Sequence, residues 1–180
     1  MPAVTETLAE AHVDVGDVGR IVCGAGPGSF TSLRIAAGIA KGLAMAAGKP
    51  LYAVSSLALM VGAAEPPLAP GEYMAALDAL RGEHYVASCL VDATGEVADV
   101  GPVSLIRSGE LESLEAAGRN TIGDGRRVRG RPNARGIVRV EALLERDGPV
   151  DLAAWEPAYG RVAEAQRRWE AAHGQVMPRG

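Results

Sequence analysis

The stretch GAGPGSFTSLRIAAGIAKGLA, residues 24–44, decides how this chain is read. Arg20 to Cys23, just before it, reads as a short buried strand, and a long run of small and branched apolar residues follows Thr31. Strand, glycine-rich loop and helix in that order are the grammar of a parallel α/β layer. The loop itself has two readings. Gly26-Pro27-Gly28-Ser29, with Thr31 behind it, has the shape of a loop that offers backbone N–H groups and the positive end of a helix to a phosphate. The spacing, however, is neither GxxxxGK[ST], since Lys41 comes too late, nor GxGxxG. The other reading is a tight structural turn in which Ser29 or Thr31 caps the helix.

The helix expected over 31–47 is more informative. Arg34, Gly38, Gly42 and Ala46 recur every four residues, as do Ala36, Ala40 and Ala44, while Ile35, Ile39 and Leu43 make a bulkier row. Glycine inside a helix costs about 1 kcal/mol relative to alanine. Two on one row imply close approach by something else. The bulky row is expected to face the sheet, leaving the small row for a second helix, from this chain or a partner.

Around this segment the chain has an ordinary soluble composition, with 48% hydrophobic and 22% charged residues in 180. A net charge of −4 gives no overall positive field for nucleic acid or an anionic membrane. Cys23 and Cys89 sit alone in apolar runs, so neither a disulfide framework nor a zinc signature is present. No run approaches the ~20 apolar residues of a membrane span, and the N-terminus does not read as a leader, so a cytoplasmic protein is expected.

A helix is expected over 2–12, with Val4, Leu8 and Ala11 on one stripe, and a second strand over 51–54, after which Ser55 or Ser56 caps a helix over 57–64. The proline-rich segment 65–72 reads as a linker, dividing the chain into 1–64 and 73–180. Beyond it, runs 73–80, 84–92 and 97–106 read as an antiparallel meander. Helices follow over 108–117, 138–146 and 163–172, with a short strand and glycine turn at Thr121 to Gly125.

With these segments in place the string GPGSFTSLRIAAGIAKGLA resembles the hallmark of the TsaB (YeaZ) family, GPGSFTGLRIG followed by AKGLA. Pro50 to Leu57, Leu77-Asp78 with Arg81-Gly82-Glu83, Ile122 to Gly125, and Glu156 to Arg161 with Ala163 to Gln166 and Trp169-Glu170 resemble further family motifs. Ser32 and Leu80 depart from it, standing where the family has glycine and arginine. The resemblance implies an α/β fold of actin-like (ASKHA, ribonuclease H-like) lobes, 1–64 being a partial N-terminal lobe and 73–180 the C-terminal one. It also implies opening strands that Met1 to Val4 do not supply. The N-terminal lobe is therefore expected to be incomplete, with an unpaired edge at Ile21 to Cys23.

The family resemblance implies a non-catalytic scaffold that binds and activates a TsaD-type transferase for N6-threonylcarbamoylation of adenosine 37 in tRNA. A TsaE-type ATPase and, indirectly, tRNA join the larger complex, and a homodimer is a further option. Val4, Leu8, Arg34, Gly38, Lys41 and Gly42 are the expected partner interface. No cofactor, metal or catalytic set is expected, since His12, His84 and His173 are isolated and Asp78 and Glu83 are acid/base candidates only by default. Two alternatives stand beside the scaffold. One is an actin-fold protein that binds ATP or ADP through Gly26 to Thr31. The other is a tRNA-contacting module built on Arg126, Arg127, Arg129, Arg131, Arg135 and Arg139, a segment whose plainer reading is a flexible solvated insertion.

Overall fold

The computed structural model describes residues 2–159. Helix α1 (Pro2–Ala11) leads through a short 3-10 turn to strand β1 (Ile21–Gly26), helix α2 (Phe30–Ala47), strand β2 (Leu51–Ser55) and helix α3 (Ser56–Gly62). β1 and β2 pair in parallel, with Ile21 opposite Leu51 and Cys23 opposite Ala53. α2 is the crossover between them, ended by Gly48 in the left-handed region at φ 62°. Ser55 caps α3 as expected, its hydroxyl accepting from the Leu57 N–H at 3.2 Å.

The segment from 65 to 70 carries no helix or strand. A second, six-stranded sheet then forms from β3 (Gly71–Asp78), β4 (Glu83–Val91), β5 (Val97–Val100), β6 (Ser104–Arg107), β7 (Thr121–Gly123) and β8 (Val128–Arg129), with α4 (Ser108–Ala116) between β6 and β7. β3 and β4 are an antiparallel hairpin, and β7 runs parallel to β3 on its other side. The extended run expected over 97–106 is two strands, both paired with β4. Val86 faces Ser104 and Cys89 faces Val100, so 101–103 hold one residue more than β4 spends on the same span. Pro102 has no N–H to give, and the bulge breaks the ladder there.

All seven residues of α3 are buried. It is the centre of the main core, where Leu57, Met60 and Val61 meet Tyr73, Ala75 and Cys89 of the large sheet, with Val140 and Leu144 behind. That core draws on both sides of the proline-rich segment. The opposite face of β3 and β4 packs Ala76 and Val86 on Leu111 of α4.

The helix expected over 138–146 is instead a 3-10 turn, Ala134–Arg139, followed by α5 (Glu141–Asp147). Val140 at φ −123°, fully buried, separates them. The basic segment is largely exposed, as Arg127, Arg129, Arg131 and Arg135 show, but parts of it are tied down. Arg126 pairs with Glu115 at 3.3 Å, Arg131 with Asp124 at 2.6 Å, and Arg139 donates to the carbonyls of Gly62 at 2.8 Å and Ala64 at 3.2 Å. Arg139 thus closes the end of α3, and Arg126 ties the segment to α4. The helix expected over 163–172 lies outside the described residues.

Candidate functional site

α2 is where structure and expectation differ most. Its buried row is Leu33, Ala37, Ala40 and Ala44, not the bulky row. Ile35 is 59% exposed, and Ile39 and Leu43 are half-buried. The reason lies far along the chain. Residues 150–155 return to the lobe, the Val150 N–H donates to Leu51 O at 2.8 Å, and Val150, Leu152 and Trp155 pack with Cys23, Ala40, Ala44 and Leu51. A helix lying close over a strand and a returning segment needs alanines on that side. Burial there pushes the Cys23 thiol above its ordinary pKa.

Among the described residues nothing covers the outer side of α2. A Cβ added to Gly38 or Gly42 would meet nothing within 4 Å. Ile35 and Met45, the latter 72% exposed, flank these glycines. The Arg34 guanidinium lies 5.4 Å from the Phe30 ring centre, and Lys41 Nζ 5.9 Å from that of Trp155. Val4 and Leu8 are half-buried on α1 and line an open groove with Ala3 and Thr7. Among the described residues α1 packs extensively on no other element, and they do not join Val4 and Leu8 to α2 in one surface.

At the head of α2 the glycine loop serves this chain first. Gly26 has φ 100°, and the Ala158 carbonyl stands where a Cβ on it would be. Ser29 holds the N-cap position and its carbonyl accepts from the Leu33 N–H at 2.9 Å, but its hydroxyl makes no capping bond, contrary to one reading of the sequence. Thr31 is exposed in the first turn. Pro27, Gly28 and Ser29 line a cavity of about 470 Å³ shared with Leu33, Leu59 and Ile137. No lysine, arginine or acidic residue lines it among the described residues. A phosphate placed there would meet serine hydroxyls and backbone, but no cation.

The other candidates are separate. Asp78 accepts from the Leu80 N–H at 2.7 Å and shapes the hairpin tip, where Leu80, Arg81 and Gly82 all have positive φ. Ser108 Oγ, which donates to Gly82 O at 3.0 Å and lies 3.4 Å from His84 Nδ1, braces that tip. No group of three metal-binding side chains occurs among the described residues. None of their helices is long and apolar enough to cross a membrane.

Residues 1–123 match the family model described as TsaD: tRNA N6-adenosine threonylcarbamoyltransferase. The Escherichia coli tRNA threonylcarbamoyladenosine biosynthesis protein TsaB is 38% identical over 95 residues, 53% of this chain and 41% of that protein. Bacillus subtilis TsaB is 39% identical over 85 residues, 47% and 36% of the two. The chain belongs to the TsaB (YeaZ) family. A solved structure of YeaZ from Pseudomonas aeruginosa superposes with a TM-score of 0.72 at 28% identity, covering 88% of this chain and 82% of that one. The fold is therefore the actin-like α/β fold of TsaB, with two strands in the N-terminal sheet among the described residues. In sequence the chain spans about two fifths of the length of the TsaB relatives it matches.

Proposed function

We propose that this chain is a non-catalytic subunit that docks a TsaD-type transferase through the outer face of α2 and so supports N6-threonylcarbamoylation of adenosine 37 in tRNA. The similarity to TsaB proteins of tRNA threonylcarbamoyladenosine biosynthesis supports the pathway. The observation that carries the docking role is the bare row of Gly38 and Gly42 between exposed Ile35 and Met45. Among the described residues nothing uses the close approach that two mid-helix glycines permit, and each lowers helix stability. A partner helix laid on that row reaches backbone-to-backbone distance and covers the two apolar side chains. Arg34 and Lys41 lie along the rim, where charge sets partner choice and association rate. Docking favours the arrangement of the transferase that binds it, a population shift requiring no chemistry here. In this reading a TsaE-type ATPase belongs to the larger complex, tRNA is met indirectly, and the docking role calls for no cofactor.

Co-elution with a TsaD-type transferase on a sizing column tests the reading. The wild-type chain should co-elute, and Gly42→Leu should lower affinity at least tenfold with its own melting temperature preserved. Equal binding by wild type and Gly42→Leu would sink the α2 face, and no binding by wild type would sink the partnership.

A further inference from the structure

Residues 125–140 hold six arginines and neither an aspartate nor a glutamate, and the structure separates those six by what they touch. Arg126 and Arg139 turn inward, to Glu115 at 3.3 Å and to the carbonyls of Gly62 and Ala64. Arg135 stands 3.7 Å from Glu65, both side chains well exposed. The direction of Arg127, Arg129 and Arg131 is set by β8. Side chains alternate along an extended segment, and the Gly130 N–H, donating to Gly123 O at 3.1 Å, carries the pairing with β7 past the end of β8. Val128 packs on the main core, and a Cβ on Gly130 would strike Ile122 and Met60 at 2.6 and 3.1 Å. The even positions therefore face inward.

The odd positions, Arg127, Arg129 and Arg131, are all exposed. They make one outward row on the β8 side of the six-stranded sheet, successive members about 6.6 Å apart along the chain, so that each reaches a different group of an extended partner. Arg131 donates to Asp124 at 2.6 Å, which offsets one of the three charges, yet its side chain is still 69% exposed. Arg127 and Arg129 have no side-chain hydrogen bond or ion pair among the described residues. On a chain of net charge −4 this is a local positive strip. Guanidinium forks match phosphate oxygens. No aromatic residue lies in 125–140 to stack a base, so the strip suits a nucleic-acid backbone held without sequence readout.

We infer that Arg127, Arg129 and Arg131 contact the phosphate backbone of RNA directly, one strand lying along the β8 row. The choice of RNA as the polyanion rests on the pathway part of the proposed function, and direct contact goes beyond the indirect meeting in that reading. The docking face of α2 takes no part in it.

The test is fluorescence anisotropy of a labelled tRNA transcript with the full chain, from about 50 to 200 mM salt. The expected result is saturable binding that weakens with salt, with an unrelated RNA of equal length bound about as well. Arg127→Ser combined with Arg129→Ser should weaken binding at least tenfold and lower the salt slope by about 1.4–1.8, with melting temperature unchanged. Lysine at both positions should restore the slope, since a point charge suffices for a phosphate. Arg129→Ser alone should weaken binding at least threefold, whereas Arg107→Ser, an equal loss of charge on β6 at the other side of the sheet, should leave it nearly unchanged. No RNA binding, unchanged binding in the double serine variant, or equal losses from Arg107→Ser and Arg129→Ser would each overturn the inference. Displacement of the RNA by poly-L-glutamate at equal charge assigns the row to an acidic protein and also overturns it. A chain that co-elutes with the transferase but binds no RNA loses only this inference; one that binds RNA through the row but does not co-elute loses only the docking role.

Discussion

The Ala158 carbonyl fills the position a Cβ on Gly26 would need, and the Ala158 N–H donates to Ala25 O at 2.7 Å. The same returning segment sets Tyr159 against Phe30, ring centres 4.7 Å apart, and Trp155 under Lys41. Gly26 therefore answers to the C-terminal segment, whatever else visits the loop. Gly26→Ala should cost about 2–4 kcal/mol in urea unfolding, from positive φ together with a backbone clash. Gly28→Ala meets only Leu33 at an ordinary 3.7 Å and should change stability by less than about 1 kcal/mol. Equal losses at the two glycines would contradict this account.

The glycines of α2 predict the opposite sign. Gly38 and Gly42 face open space, so alanine at either position adds no clash and removes the helix penalty. Each of Gly38→Ala and Gly42→Ala should stabilise the isolated chain by about 0.5–1 kcal/mol, read as a rise in melting temperature. A fall in melting temperature would mean that something in this chain packs on that row.

The order of strand, loop and helix, the Ser55 cap and the hairpin could be read from residues 21–92, because each depends on neighbours close in sequence. The face of α2 could not. Leu33, Ile35 and Ala36 each begin a plausible row, and the choice is made by Leu152 and Trp155, more than a hundred positions away. The anchoring of the basic segment through Arg139 was hidden for a similar reason. Arg139 has carbonyl partners only because the 3-10 turn lies across the end of α3, where Gly62 and Gly136 meet without side chains between them. The emptiness beside Gly38 and the cavity beside Gly28 are spatial facts with no one-dimensional signature.

The cysteines give a chemical readout of opening. Burial pushes the Cys89 thiol up to about 12, with Asp99 adding to it, and raises Cys23 as well. Only thiolate reacts with a disulfide reagent. Both thiols should label at least a hundredfold more slowly at pH 8 in the folded chain than in 6 M guanidinium, with Cys89 slower than Cys23. Labelling of Cys89 as fast as an unfolded thiol would show that the main core opens locally.

Acid sensitivity follows from exposed carboxylates paired with arginine. The Arg20 guanidinium donates to both oxygens of Glu141, Arg146 to Asp99 at 2.8 Å, and Arg131 to Asp124 at 2.6 Å. Each pairing holds its carboxylate below the ordinary range, in every case chiefly through the hydrogen bond from arginine. Protonation is then harder in the folded than in the unfolded chain, whose carboxylates titrate near pH 4. The stabilisation is complete above about pH 5 and is lost as pH falls through the depressed folded values. Melting temperature should be level from pH 7 to 5 and fall below about pH 4. Because these groups are solvated, 1 M salt should flatten the fall, and Glu141→Gln should remove part of it. A loss of stability on going up from pH 5 to 7 would carry the wrong sign for carboxylate pairing and would rule these ion pairs out as its cause.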